Sequence, residues 1–206
     1  MPEVEQTTEP ERLSDRLESW FQSTEPKTVG SLTELFGEKS FAVLFVLLLA
    51  IPALPLPTGG VTHVFELIAV LLALELIGGR RTVWLPERWR QREIGPAQQK
   101  RFSEGLLRRI RWLERHSRPR LGFLLTHRLS GVSFGVLVLI LTVTAFLAPP
   151  FTGLDTLPSL GVVLLALGYL LDDALLALIG VIVGAVGLLL VIVLGRLAYE
   201  GARGLF

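Results

Sequence analysis

The chain has no cysteine, so it has neither a disulfide framework nor thiolate chemistry, and redox compartment cannot be read from it. Its start is not that of a secreted protein. Residues 1–40 hold nine acids and four bases, with no apolar core of the signal-peptide kind. Insertion into a membrane is therefore expected to use internal segments. The three histidines, His63, His116 and His127, show no metal-ligand spacing. No P-loop and no Ser-His-Asp constellation can be assembled, and Thr126-His127 near Ser130 is too generic to argue hydrolysis. The expectation is a protein that is not an enzyme and uses no metal and no cofactor.

What is present is apolar sequence. Half of the 206 residues are hydrophobic, and the mean hydropathy is +0.55. The apolar residues cluster in 41–79, 131–171 and 174–199. The last run has 26 residues with only Arg196 charged. At about 1.5 Å per residue it crosses a hydrocarbon core of about 30 Å with room for tilt. The chain reads as an all-α, polytopic integral membrane protein.

Charge is unevenly spread. Residues 1–40 have a net charge of −5, whereas residues 80–128 hold fourteen bases and four acids. A basic loop between apolar segments is expected on the cytoplasmic side. Nucleic acid is not an expected partner, because the flanks are membrane segments and no binding motif is visible.

Two apolar stretches are each broken by a proline-rich turn, Ile51-Pro-Ala-Leu-Pro-Leu-Pro-Thr-Gly-Gly-Val-Thr62 and Ala145-Phe-Leu-Ala-Pro-Pro-Phe-Thr-Gly-Leu-Asp-Thr156. At a constant offset of 94, Pro55, Thr58, Gly59 and Thr62 fall on Pro149, Thr152, Gly153 and Thr156. The apolar run before the first break rises only about 15–18 Å, half a bilayer. Residues 41–57 and 61–79 are then either two thin spanning helices or a re-entrant hairpin. The prolines stand where a re-entrant tip would stand, which favours the hairpin.

The organisation that follows has five parts. Residues 1–38 form an acidic segment with short amphipathic helices, one opened by Thr8-Glu-Pro-Glu11 and one by the capping box Ser31-Leu-Thr-Glu34. Residues 39–79 are the first broken hairpin. Residues 80–128 are a basic cytoplasmic insert, residues 129–171 the second hairpin, and residues 172–206 a C-terminal spanning helix. In the insert, Phe102, Leu106, Ile110 and Leu113 share one helical face. Arg80, Arg81, Arg101, Arg108, Arg109 and Arg111 are the interfacial bases expected at an anionic leaflet. A helix packed on its own protein is the equally open alternative. Charge placement favours parallel hairpins, though a fully crossing 131–148 segment would permit an inverted pair.

Unwound backbone in a bilayer is tolerated only where protein or a watery cavity satisfies it. The breaks are therefore the candidate site. Thr62 and Thr156 are placed to cap the helices that follow, and two opposed helix N-termini would hold a phosphate or carboxylate. Gly59, Gly60 and Gly153 permit close backbone approach, and Thr58 and Thr152 are candidate binding residues beside them. Glu66, beside the first break, is a buried carboxylate able to exchange protons with substrate or with His63. Asp155 is a helix cap or a cation or proton site. Glu75 faces the opposite side from Glu66 and is expected to pair with Arg80 or Arg81. Gly131, Gly135, Gly180, Gly184 and Gly187 let helices pack closely, within one subunit rather than across a dimer.

Several pieces together resemble the ExoD family of bacterial membrane proteins over residues 29–199. They are Ser31-Leu-Thr-Glu-Leu-Phe-Gly37, Ile51-Pro-Ala-Leu-Pro-Leu-Pro57 with Gly60-Val61, Leu72-Ala-Leu-Glu-Leu-Ile-Gly-Gly-Arg-Arg81 with Trp84-Leu-Pro86, and Pro149-Pro-Phe-Thr152 with Thr156-Leu-Pro158 and Leu165-Ala-Leu-Gly168. The chain departs from that pattern at Glu75 and at Gly153-Leu-Asp155. The resemblance implies a multi-pass inner-membrane protein of exopolysaccharide synthesis or export, and transfers no catalytic residue. On that basis the expected partners are membrane lipids, anionic or polyprenyl-phosphate lipids among them, the polysaccharide synthesis machinery, and a second copy in a homo-oligomer. Three mechanisms stay open: binding or translocation of an anionic lipid or lipid-linked phosphate, scaffolding of a synthase, and cation or proton transport.

Overall fold

A computed structural model describes residues 13–24, 26–55, 62–80, 82–84, 87–91, 111, 128–149 and 152–203. Among these the protein is all-helical, with no strand. It divides into two compact units. One is built from residues 1–35 and 85–118, the other from residues 36–84 and 119–206.

The smaller unit contains α1 (Leu13–Gln22), most of α2 (Val29–Phe36) and the short α5 (Glu87–Arg90). In α1, Leu17 and Trp20 are buried, one turn apart on one face of the helix. The start of α2 corrects the expected Ser31–Glu34 capping box. The Ser31 N–H donates to Thr28 Oγ1, and the Thr28 N–H donates to Ser31 Oγ, both at 3.1 Å. This reciprocal pair caps the helix three residues earlier, because Thr28 leaves one more apolar position, Val29, inside it. Gly37, with φ +50, ends α2. Arg111 is paired with Glu18, and Arg90 with Glu34, so bases of the insert meet acids of the N-terminal segment.

The larger unit holds α3 (Ser40–Leu49), α4 (Thr62–Ile77), α6 (Arg128–Leu147), α7 (Thr156–Leu170) and α8 (Ala174–Arg203). Only α8 is long and apolar enough to cross a membrane among the described residues. The α3–α4 and α6–α7 pairs are hairpins, and they pack crosswise, α3 on α7 and α4 on α6. Both second helices end alike. The Arg80 N–H bonds to Glu75 O and the Asp173 N–H to Gly168 O, around left-handed Gly79 (φ 84) and Asp172 (φ 53).

Contacts fix the direction of each helix. At one end, Lys39 Nζ lies 2.7 Å from Asp172 Oδ2 and 3.0 Å from Leu170 O. Gly135 faces Leu76 and Ile77 at that end too. At the other end, the His63 ring lies 5.6 Å from the Phe146 ring. Both hairpin tips therefore stand at one end of the bundle and both bases at the other.

Asp173 starts α8 at the base, accepting the N–H groups of Leu175 and Leu176. The helix then runs antiparallel to α7 along a seam of small residues. A Cβ on Gly161 would lie 2.5 Å from Gly184 Cα, one on Gly180 would lie 2.4 Å from Leu165 N, and one on Gly187 would meet Pro158. Gly180, Gly184 and Gly187 thus pack within the chain, whereas Gly131 meets nothing. Gly187 marks the level of the tips, and α8 continues beyond it for sixteen residues, about 24 Å.

The bundle's outer surface is apolar. Val64, Leu67, Leu71 and Leu74 form an exposed stripe on α4, and Leu189, Val193 and Leu197 are exposed on α8. Polar groups lie inside instead, among them Thr62, Glu66, Thr142 and Ser159. A soluble protein seldom exposes apolar area of this extent.

Candidate functional site at the hairpin tips

Thr62, the first residue of α4, is buried. Its hydroxyl donates to Asp155 Oδ2 at 3.4 Å, joining the start of α4 to the residue before α7. Of the two readings open for Asp155, the helix cap is not the one made. Asp155 occupies the N-cap position with φ −68 and ψ −23, but its side chain makes no capping bond. The carboxylate is turned across to the other hairpin instead. Thr156 and Thr62 are likewise not caps. Each is the first helical residue, one place inside the cap position.

One turn into α4 stands Glu66, with 0% of its surface exposed. Neither carboxylate oxygen has a hydrogen-bond partner among the described residues. His63 Nδ1 lies 3.5 Å from Glu66 Oε2. His63 Nδ1 is itself buried and without a hydrogen-bond partner among the described residues. One turn into α7, Ser159 is also fully buried, and its hydroxyl has no such partner. Ser159 was not singled out from the sequence. Its spacing of four from Asp155 was the available signal.

Among the described residues the tips hold two carboxylates, Glu66 and Asp155, and no Lys or Arg paired with them. Neither residues 41–79 nor residues 129–171 include a Lys or Arg. Leaving a buried ion unpaired costs several kcal/mol, so such a group is retained for what it does. Among the described residues, no three His, Asp or Glu form a metal-binding group.

The rest of the expected site divides. Thr152 and Gly153 lie in the second turn, where the Thr152 hydroxyl donates to Pro149 O at 2.6 Å and Gly153 has φ +69. That hydroxyl serves the turn itself. Thr58, Gly59 and Gly60 lie outside the described residues, as do Arg81, Arg101, Arg108 and Arg109. The Glu75 carboxylate accepts the Trp84 N–H at 3.2 Å, and of its two expected partners Arg81 lies outside the described residues. The Arg80 guanidinium lies 5.9 Å from the Trp84 ring centre.

A family model described as "Exopolysaccharide synthesis, ExoD" matches residues 13–193. The chain belongs to the ExoD family. It is 30% identical to Protein ExoD of Rhizobium meliloti over 200 residues, covering 94% of this chain and 81% of that protein. It is 27% identical over 187 residues to an uncharacterized protein of Synechocystis sp., covering 89% and 87% of the two chains. No solved structure matches. Membership of the ExoD family implies a role in exopolysaccharide synthesis.

Proposed function

We propose that this ExoD-family protein acts in the bacterial inner membrane, in exopolysaccharide synthesis or export, through a cation- or proton-coupled site. The site lies where two re-entrant hairpins join their tips, and Glu66 is the coupling carboxylate. The observation that carries this reading is the burial of Glu66 with both oxygens unpartnered among the described residues. A carboxylate kept in that state serves to take up and release a positive charge.

The half-depth placement rests on α8. Its apolar span covers Ala174–Leu197, and the hairpin tips reach only the level of Gly187. Fourteen of the 24 residues of that span are matched by hairpin, about 20 Å of a core about 30 Å thick. The crosswise packing supports reading the hairpins as a parallel repeat. Exchanging one hairpin for the other turns the α3–α7 pair into the α6–α4 pair. Parallel repeats of this kind share an axis along the membrane normal.

An anionic lipid or lipid-linked phosphate fits the tips less well, since Glu66 and Asp155 would repel it. The synthase-scaffold reading would use the basic insert, of which Arg111 is engaged with Glu18. The test is exopolysaccharide output in a strain whose own copy is replaced by Glu66→Gln. A coupled transporter loses output with the protein still in the membrane, whereas a scaffold keeps it.

A further inference from the structure

We propose that the joined tips hold one sodium ion, bound by the Glu66 and Asp155 carboxylates with the Thr62 and Ser159 hydroxyls. This deepens the coupled-site reading and rests on it. Thr62 and Glu66 are one turn apart on α4, and Asp155 and Ser159 one turn apart at the start of α7. The Thr62–Asp155 bond sets those two faces against each other at the tip. One turn deeper on them stand Glu66 and Ser159, both fully buried and both with oxygens unpartnered among the described residues. Asp155 lies close enough to act electrostatically on Glu66.

Charge selects the ligand. Two carboxylates bring −2, and the N-termini of α4 and α7 each contribute about half a positive charge. The sum is about −1, which one monovalent cation neutralises. A divalent cation would overshoot, and a phosphate would deepen the imbalance. The donor set is all oxygen and half of it neutral hydroxyl, the chemistry of a hard cation. Among the described residues, the other titratable group at the tip is His63. On the packed elements, α3 has no ionisable side chain, α6 has only Arg128, its first residue, at the base end, and α8 has Arg196, Tyr199, Glu200 and Arg203, all beyond the level of the tips. Protons therefore compete with sodium for the Glu66 carboxylate.

The test is calorimetric titration of the purified full-length protein in detergent with sodium, potassium and choline chlorides at constant ionic strength. Sodium is expected to saturate one site per chain and choline to give no heat of binding. Glu66→Gln abolishes that binding. Ser159→Ala weakens it about tenfold, as the loss of one ligand to an ion does. Glu75→Gln, at the opposite end of the bundle, binds as the parent does. If Glu66→Gln does not fold, Ser159→Ala carries the test. Sodium and choline behaving alike, or sodium binding that survives both substitutions, overturns the assignment. Proton uptake at the tip without sodium binding overturns the sodium site and leaves the coupled-site reading standing. Neither proton nor sodium uptake overturns both.

Discussion

The Thr62 hydroxyl reaches the Asp155 carboxylate across 3.4 Å, and with that contact two segments 93 residues apart share one polar site. Each hairpin supplies a helix start and a carboxylate there, Glu66 from the first and Asp155 from the second. The bases are joined as well, by Lys39 and Asp172. That ion pair is over a third exposed, so its contribution to stability is small.

Replacing Glu66 should separate chemistry from folding. Glu66→Gln removes the charge and keeps the shape, so exopolysaccharide output falls roughly tenfold or more, a barrier change of at least about 1.4 kcal/mol. Thermal unfolding in detergent should hold or rise, because a neutral amide is cheaper to bury than a carboxylate. Glu66→Asp keeps the charge and should retain part of the output.

The seam between α7 and α8 tolerates no added carbon. In Gly161→Ala the new Cβ would lie 2.5 Å from Gly184 Cα and 2.6 Å from its N, and neither backbone atom can rotate away. Helix separation should cost about 1–3 kcal/mol, read as a lower unfolding midpoint. Gly131→Ala meets nothing within 4 Å and should leave the midpoint in place.

The capping pair of α2 gives a local readout. Thr28→Ala removes the acceptor of the Ser31 N–H. Amide exchange at Ser31 should quicken by about fivefold, matching a cap worth about 1 kcal/mol. Unchanged exchange would return the start of the helix to Ser31.

Much of the fold was legible because apolar runs ended by Pro and Gly state helix lengths directly. The starts of α4 and α7 fall at Thr62 and Thr156, the very residues aligned by the repeated break. Chemistry inside the tips was legible only in part. Glu66 stood out as a charge in apolar sequence, but Ser159 did not, since a serine near a helix start is ordinary. Asp155 was left open between a cap and a cation or proton site, because its spacing suits its own helix as well. What directs it elsewhere is Thr62, a partner that adjacency in sequence does not reveal. The α2 cap was misplaced for a similar reason. Ser31–Glu34 fits the capping-box pattern as well as Thr28–Ser31 does, and only the hydrogen bonds distinguish them.

The joining of two hairpin tips within the membrane is tested most directly by single cysteines, since the chain has none of its own. Cysteines at Thr82, Thr152 and Arg203 would be labelled from each side with an impermeant thiol reagent. Thr82 near the bases and Arg203 at the far end of α8 should label from opposite faces. Thr152, at a tip, should be shielded from the face that labels Arg203. Labelling of Thr152 as fast as Arg203 from the same face would make the breaks ordinary surface turns and contradict the re-entrant arrangement.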